Sequence, residues 1–427
     1  MRSLLARPAV ILAVLTALNV LNFTDRFLIQ GFAVDLMADL HLSNLQFTLL
    51  TGLAFTAFYT VAGLFMGALA DRVHRPRLIA AGLCAWTALT AATGLVGSFV
   101  QLAAVRTLTG IGEATLTPAA VGLLADAQPA RRRALAAGVY YLGAPIGIGG
   151  AFLLAGALGA TIGWRHGFVA LGVVGLLLAL VTSRLHEPRS AAVAVRSAQG
   201  LRIDTLRDVV AVLRGSPALC LLMLAGVLVI FGQGAFVLDQ PWLVQERGFA
   251  KGHAQALSGA MFMGGGVIGS LLGGWLADRM EARRAGGRLR FLGWAYVVGV
   301  PVAYLYRFAD PSGAVFAPAM FVGSVMVTLG YGPLFASLQD LAPARLRSTM
   351  TATMILGMTL LGTSAGNLLV GFLADRFRVA GLAEPITQAV AWTMLPWLIA
   401  IPCLFRAAGL ASRPCVRRAP EVQCTAS

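Results

Sequence analysis

The sequence predicts an all-α polytopic membrane protein, with twelve transmembrane helices arranged as two six-helix halves. Three observations carry this. Of the 427 residues, 58% are hydrophobic and 12% charged, where a soluble domain carries about 25% charged residues. Apolar runs recur from one end of the chain to the other. They are far longer than the ~10-residue strands of a membrane barrel, so self-satisfied helices must do the crossing. Finally, the basic residues collect in alternate polar breaks, the pattern that sets membrane topology.

Apolar runs in the first half cover residues 8–34, 43–69, 77–98, 100–124, 134–158 and 165–184. The second half repeats the count at 217–240, 254–276, 290–308, 314–338, 348–372 and 386–405. The predicted organisation is therefore a first bundle (1–184), a cytoplasmic linker (185–216), a second bundle (217–405) and a cytoplasmic tail (406–427). One set of breaks, with both termini and the linker, holds 25 of the 33 Lys and Arg residues. The opposite loops hold six: Arg165, Arg247, Lys251, Arg307, Arg376 and Arg378. The positive-inside rule then puts both termini in the cytoplasm, with the plasma (inner) membrane as the expected location. The +15 net charge is explained by this loop asymmetry, so no nucleic-acid partner is expected. Arg2 and Arg7 precede a run too long for a signal-peptide core, so the first span is expected to be retained. The five cysteines (84, 220, 403, 415, 424) form no CxxC pair, and neither a zinc site nor a disulfide framework follows.

Asp25 and Arg26 stand side by side within the first span. A charge near the centre of a span costs at least ~2.5–3.5 kcal/mol on insertion scales, and one that is kept there usually faces protein or a water-filled path. The fourth span carries two more, Arg106 and Glu113, seven residues apart on one helix face. Glu113 is either a structural partner of Arg26 or a carboxylate that binds a proton or a cationic group. Asp25 has the same two readings. Burial disfavours an ionised carboxylate and a nearby guanidinium favours it, so both influences act on one site. The expected cycle protonates Asp25 and Glu113 alternately, with Arg26 paired to whichever is charged or to a substrate anion. Guanidinium suits phosphate or carboxylate because it can bind in bidentate fashion. Asn19 and Asn22 continue the same side of span one, and Tyr140 and Tyr141 bring hydroxyls and aromatic faces from span five. These suit either a cavity wall or polar packing. In the second half, Gln233, Gln339, Thr359, Thr363, Ser364 and Asn367 are the polar candidates, and such residues commonly glue helices together in lipid.

An internal echo supports two related halves. Gly67-Ala-Leu-Ala-Asp71-Arg72 ends span two, and Gly274-Trp-Leu-Ala-Asp278-Arg279 ends span eight, 207 residues later. Parallel repeats about an axis along the membrane normal give such a relation. A third copy, Gly371-Phe-Leu-Ala-Asp375-Arg376, ends span eleven on the other side. Asp71 at a helix end can accept from a helix N-terminus when the cytoplasmic side closes, with Arg72, Arg75 and Arg131 expected to hold it. Asp278 with Arg279 is the expected counterpart. A solvated charge run is the plainer reading of both. Gly143, Pro145, Gly147 and Gly149 in span five are expected to bend the helix or to permit close packing.

Several of these strings resemble one family. Gly67 through Arg77 is similar to the G-x-L-a-D-r-x-G-r-k loop motif of the major facilitator superfamily, departing from it at His74 and Pro76. Arg106-x-x-x-Gly110-x-Gly112 is similar to that superfamily's fourth-span motif, and the Pro145-x-Gly147-x-Gly149 run to its fifth. Asn22-Phe-Thr-Asp25-Arg26, Gly110-Ile-Gly112-Glu113-Ala114 and the Pro145-x-Gly147-x-Gly149 run together resemble the spinster-like branch. Anion/cation symporters also tend to carry N-x-x-D-R in span one and are the nearest rival. The resemblance implies the major facilitator fold and secondary active transport by alternating access, coupled to protons. It further implies an amphipathic or lysolipid-like solute, with organic-anion symport or multidrug efflux as the alternatives. No cofactor is called for and a monomer is expected. No GxxxxGK[ST] string is present to bind ATP. The five histidines (41, 74, 166, 186, 253) lack metal-ligand spacing, so a membrane-embedded hydrolase or desaturase is not the expected reading. A sensor without transport would share the fold.

Overall fold

The computed structural model describes residues 7–129, 132–187, 203–343 and 346–412, and among them every regular element is a helix. The first half comprises α1 (Pro8–Gly31), α2 (Ala33–Asp39), α3 (Asn44–Thr51), α4 (Leu53–Arg72), α5 (Arg75–Thr93), α6 (Phe99–Glu113), α7 (Leu116–Ala127), α8 (Arg133–Tyr141), α9 (Gly143–Thr161) and α10 (Gly163–Thr182). After the linker come α11 (Ile203–Gly215), α12 (Pro217–Gln233), α13 (Asp239–Gln245), α14 (Lys251–Arg283), α15 (Gly287–Leu305), α16 (Phe316–Leu329), α17 (Tyr331–Leu341), α18 (Arg347–Gly357), α19 (Ala365–Val379), α20 (Pro385–Met394) and α21 (Pro396–Ala411).

Ten apolar helical stretches among the described residues are long enough to cross a membrane. The remaining two expected spans are α5 and α15, each 19 residues, about 28 Å at 1.5 Å per residue. Their first turns carry Arg75 and Arg77, and Arg288 and Arg290, which lowers their apolar content without shortening them. Several spans are less continuous than the apolar runs suggest. Span one breaks at Phe32, span two at Gly52, span ten at Gly330 and span twelve just before Pro396. Span eleven contains a π-helical turn, Met358–Ser364. Helix starts are marked by local chemistry: a capping box at Ser43 with Gln46, a Ser98 side-chain cap, and Ser216 followed by Pro217. The linker is not wholly irregular, because its C-terminal part forms α11 (Ile203–Gly215) with Val209 buried.

Packing divides the described chain into two units. One holds the residues up to 187 together with Val237–Met263, so α13 and the first turns of α14 belong to it. There Gln255 Nε2 donates to the Gly31 carbonyl at 2.9 Å, and Lys251 Nζ to Asp35 Oδ1 at 2.5 Å. The other holds 203–Phe236 and the residues from Gly264 to 412.

Each unit repeats one ionic device. In the first, Arg75 at the start of α5 donates to Asp126 at the end of α7, at 2.5 Å. In the second, Arg288 at the start of α15 pairs with Asp340 at the end of α17. The two pairs occupy corresponding positions in the two halves, and span both members of each repeat. They are stronger evidence for the internal duplication than the short Gly-x-Leu-Ala-Asp strings.

Small residues set the helix spacing within the first unit. A Cβ on Gly147 would stand 2.5 Å from the Val20 carbonyl oxygen, and one on Gly143 would stand 2.9 Å from the Asn19 side chain. One on Gly149 would lie 2.5 Å from Met263 Cβ. These glycines therefore seat α9 directly on α1 and on α14. Gly67 differs, with Pro118 Cβ as its nearest neighbour at 3.9 Å. Gly147→Val is expected to destabilise the purified protein by about 1–3 kcal/mol, the usual cost of overpacking. Gly67→Ala should leave the thermal unfolding midpoint unchanged.

Candidate functional site

Span one delivers its polar residues to two different partners. On α1, Asn22 and Arg26 lie one turn apart and both reach Glu113, which sits fully buried at the end of α6. Arg26 Nη2 donates to Glu113 Oε2 at 2.8 Å and its Nε at 3.3 Å, while Asn22 Nδ2 donates to the same oxygen at 2.9 Å. Asp25 points elsewhere, as the ~100° step between neighbours requires. Its Oδ2 accepts from Thr90 Oγ1 of α5 at 2.5 Å. Arg26 thus engages Glu113 rather than its chain neighbour.

Aromatic rings enclose the guanidinium. Its Cζ lies 4.7 Å from the Phe55 centroid, 4.6 Å from Tyr59 and 5.5 Å from Phe23, distances at which cation–π attraction is effective. The Arg26 side chain keeps 23% of its surface exposed, whereas Glu113 keeps none. The cation is therefore the accessible member of the pair. Arg106 is 2% exposed, and its Cζ lies 5.0 Å from the Phe55 centroid.

Two buried carboxylate oxygens, Asp25 Oδ1 and Glu113 Oε1, have no hydrogen-bond partner among the described residues, nor does Arg106 Nε. Buried polar atoms are rarely left so.

The other expected site residues distribute as follows. Asn19 Nδ2 donates to the Tyr140 carbonyl at 2.7 Å, tying α1 to α8. Tyr140 is 1% exposed and Tyr141 54% exposed, their rings in edge contact at 5.2 Å. Pro145 is buried with Gly143, Gly147 and Gly149 along α9. Of the loop residues, Arg131 and the side chain of Asp71 lie outside the described residues. Arg72 is exposed at the end of α4. Arg75 is buried against Asp126, with Glu187 Oε1 4.0 Å from its Nε; His74 Nε2 lies 3.8 Å from Glu187 Oε2. In the second unit the partner of Asp278 is Arg288, at 2.7 Å, which also bonds Asp340. Arg279 instead lies over the Trp275 ring at 5.7 Å.

Sequence reasoning missed Thr90, Phe55 and Tyr59. Threonine in an apolar helix usually bonds its own i−4 carbonyl, so nothing marks Thr90 as different. The four-residue spacing of Phe55 and Tyr59 puts both rings on one face, which was the available signal.

Described residues that are helical throughout and long apolar spans, with an ion pair buried inside one half, have the make-up of a polytopic membrane transporter. The sequence profile of the Major Facilitator Superfamily matches residues 15–366. An MFS-type efflux pump of Mycolicibacterium smegmatis is 30% identical over 373 residues, 85% of this chain and 83% of that one. Protein spinster homolog 1 of Xenopus tropicalis is 26% identical over 388 residues, covering 86% and 73%. The crystal structure of a bacterial homolog to the human lysosomal transporter Spinster, inward-facing and unoccupied, superposes with a TM-score of 0.82 at 23% identity, covering 95% and 97%. The chain belongs to the major facilitator superfamily.

Because Arg75 and Asp126 are each close to buried, the two should act as a unit. Arg75→Ala and Asp126→Ala should each lower the unfolding free energy. The double variant should lose less than the sum, by a coupling of about 0.5–3 kcal/mol.

Proposed function

We propose that this transporter is proton-coupled and moves an amphipathic, anionic solute by alternating access, with Asp25 and Glu113 as the proton carriers. The observation that carries this reading is the split partnership of the Asp25–Arg26 pair. Arg26 bonds Glu113, while Asp25 is buried with one oxygen unpaired. Protonation of Glu113 would weaken its hold on Arg26 and free the guanidinium for a phosphate or carboxylate headgroup, which it can grip in bidentate fashion. An arriving anion and an arriving proton therefore favour the same rearrangement. That is the condition for coupling, since each ligand must discriminate between the same two states.

The amphipathic part of the reading rests on the aromatic enclosure of Arg26 by Phe23, Phe55 and Tyr59, which offers apolar surface beside the charge. It is also supported by the relatedness to spinster proteins. The gating roles of the paired loop motifs, the cytoplasmic placement of both termini, residence in the plasma membrane and a monomeric state belong to the same proposal. A second reading, export of hydrophobic cations, is favoured by the similarity to an efflux pump and by that same aromatic cage beside a carboxylate.

The test is a solute screen in proteoliposomes under an imposed pH gradient, comparing lysophospholipids, small organic anions and hydrophobic cations. Gradient-driven flux of a lysophospholipid is expected. Asp25→Asn and Glu113→Gln should each cut the pH-dependent part of that flux by about 5–150-fold, the usual range of coupling between sites. Flux of a small hydrophilic anion alone, or full gradient-driven flux in both variants, would contradict the proposal.

A further inference from the structure

We propose that Thr90 is a positioning residue for the proton on Asp25, its hydroxyl turning between the Asp25 carboxylate and the Trp86 carbonyl as the carboxyl changes charge. This rests on the reading of Asp25 as a proton carrier. Thr90 sits on α5 and is 2% exposed. Its Oγ1 stands 2.5 Å from Asp25 Oδ2 and 3.0 Å from the Trp86 carbonyl oxygen, two acceptors within reach of one hydroxyl. A hydroxyl carries one proton and two lone pairs, so it serves only one of these acceptors at a time.

With Asp25 ionised, the Thr90 proton points to Oδ2, and the bond is charge-assisted. When a proton from the aqueous phase arrives on Oδ2, the new O–H donates to Thr90 Oγ1. The Thr90 proton then turns to the second lone pair of the Trp86 carbonyl, the i−4 bond that helical threonines commonly make. No covalent bond of threonine changes. The α1–α5 link survives with its direction reversed, so both protonation states of Asp25 are held in place.

The helix that carries Thr90 is closely packed one turn away, at Thr87. A Cβ on Gly175 of α10 would lie 2.1 Å from Thr87 Cγ2, and one on Gly172 would lie 2.7 Å from the Thr87 carbonyl oxygen. Helix α10 is thus pressed against the face of α5 one turn away. The charged and titratable groups facing Asp25 are Arg106 and Glu113 of α6 and its own neighbour Arg26, which stacks on Tyr59 of α4. On α8, packed against α1, Tyr140 and Tyr141 contact each other edge to face. Helix α9, packed along α1, has no titratable side chain. On α7, Asp126 is engaged by Arg75; on α10, Arg165 pairs with Asp39 and the His166 ring lies at the Ile162 carbonyl. Thr90 is therefore the only neutral hydroxyl with a bond to the Asp25 carboxylate among the described residues.

Infrared difference spectroscopy of the full chain in lipid vesicles tests this without a transported solute. The C=O stretch of protonated carboxyl groups is followed through a pH titration. Asp25→Asn should remove one titrating band. Thr90→Val should keep that band, shift its frequency toward that of an unbonded carboxyl, and raise its midpoint by about one pH unit, because the ionised form has lost its donor. Thr90→Ser should restore the wild-type midpoint, which a merely structural role of the side chain would not do. Thr90→Ala carries the same expectation as Thr90→Val should the latter fail to fold. A wild-type midpoint and frequency in Thr90→Val or Thr90→Ala overturns the inference. Absence of any band that Asp25→Asn removes overturns the proton-carrier reading itself, and this inference with it.

Discussion

A guanidinium inside an apolar helix bundle dictates how the first unit is built. Arg26 cannot release its charge, so it needs a counter-charge, hydrogen-bond acceptors and polarisable surface within reach. Glu113 supplies the first two, Asn22 orients the same carboxylate oxygen, and Phe23, Phe55 and Tyr59 supply the third. Meeting this need fixes which face of α1 meets α6 and where α4 must lie. The glycines then follow. Gly110 and Gly112 let α6 come within contact of Phe55 on α4 and Trp86 on α5, where a Cβ would stand 2.7 and 2.9 Å from the nearest atoms. Close approach of backbones and pairing of charges are two aspects of one arrangement.

The division of labour between Asp25 and Arg26 follows from helical geometry. Two adjacent residues cannot face one partner, so a carboxylate and a guanidinium side by side must satisfy themselves on different helices. Asp25 turns to α5 and Arg26 to α6. A change of charge on either carboxylate is consequently felt by a different helix contact.

Much of this was legible in the residues. Twelve apolar runs, the alternation of Arg-rich breaks and the misplaced charges of spans one and four all follow from the cost of polar groups in hydrocarbon, which is large and local. The Arg26–Glu113 contact was foreseeable because an internal charge has few possible partners in so apolar a chain. Other features depend on how helices pack, and no local signal carries that. Thr90 looks like any helical threonine. Arg75 bonds Asp126 from α5 to α7, a contact that no sequence spacing indicates. Arg288 reaches Asp278 from the start of α15, ten residues further along the chain. Breaks at Phe32, Gly330 and Leu395 and the π-turn at Met358–Ser364 interrupt runs whose hydropathy is continuous, because hydropathy reports lipid contact and not helix geometry.

The central claim is that protons reside on the buried cluster of the first unit. Its most direct measurement is a potentiometric proton count on purified protein in detergent, comparing wild type with the Asp25→Asn, Glu113→Gln double variant across pH 5 to 8, a range spanning the ordinary titration of perturbed carboxylates. The account predicts that the wild type takes up about one more proton per chain than the variant, within a window that solute addition displaces. Superimposable titration curves for the two proteins would contradict it.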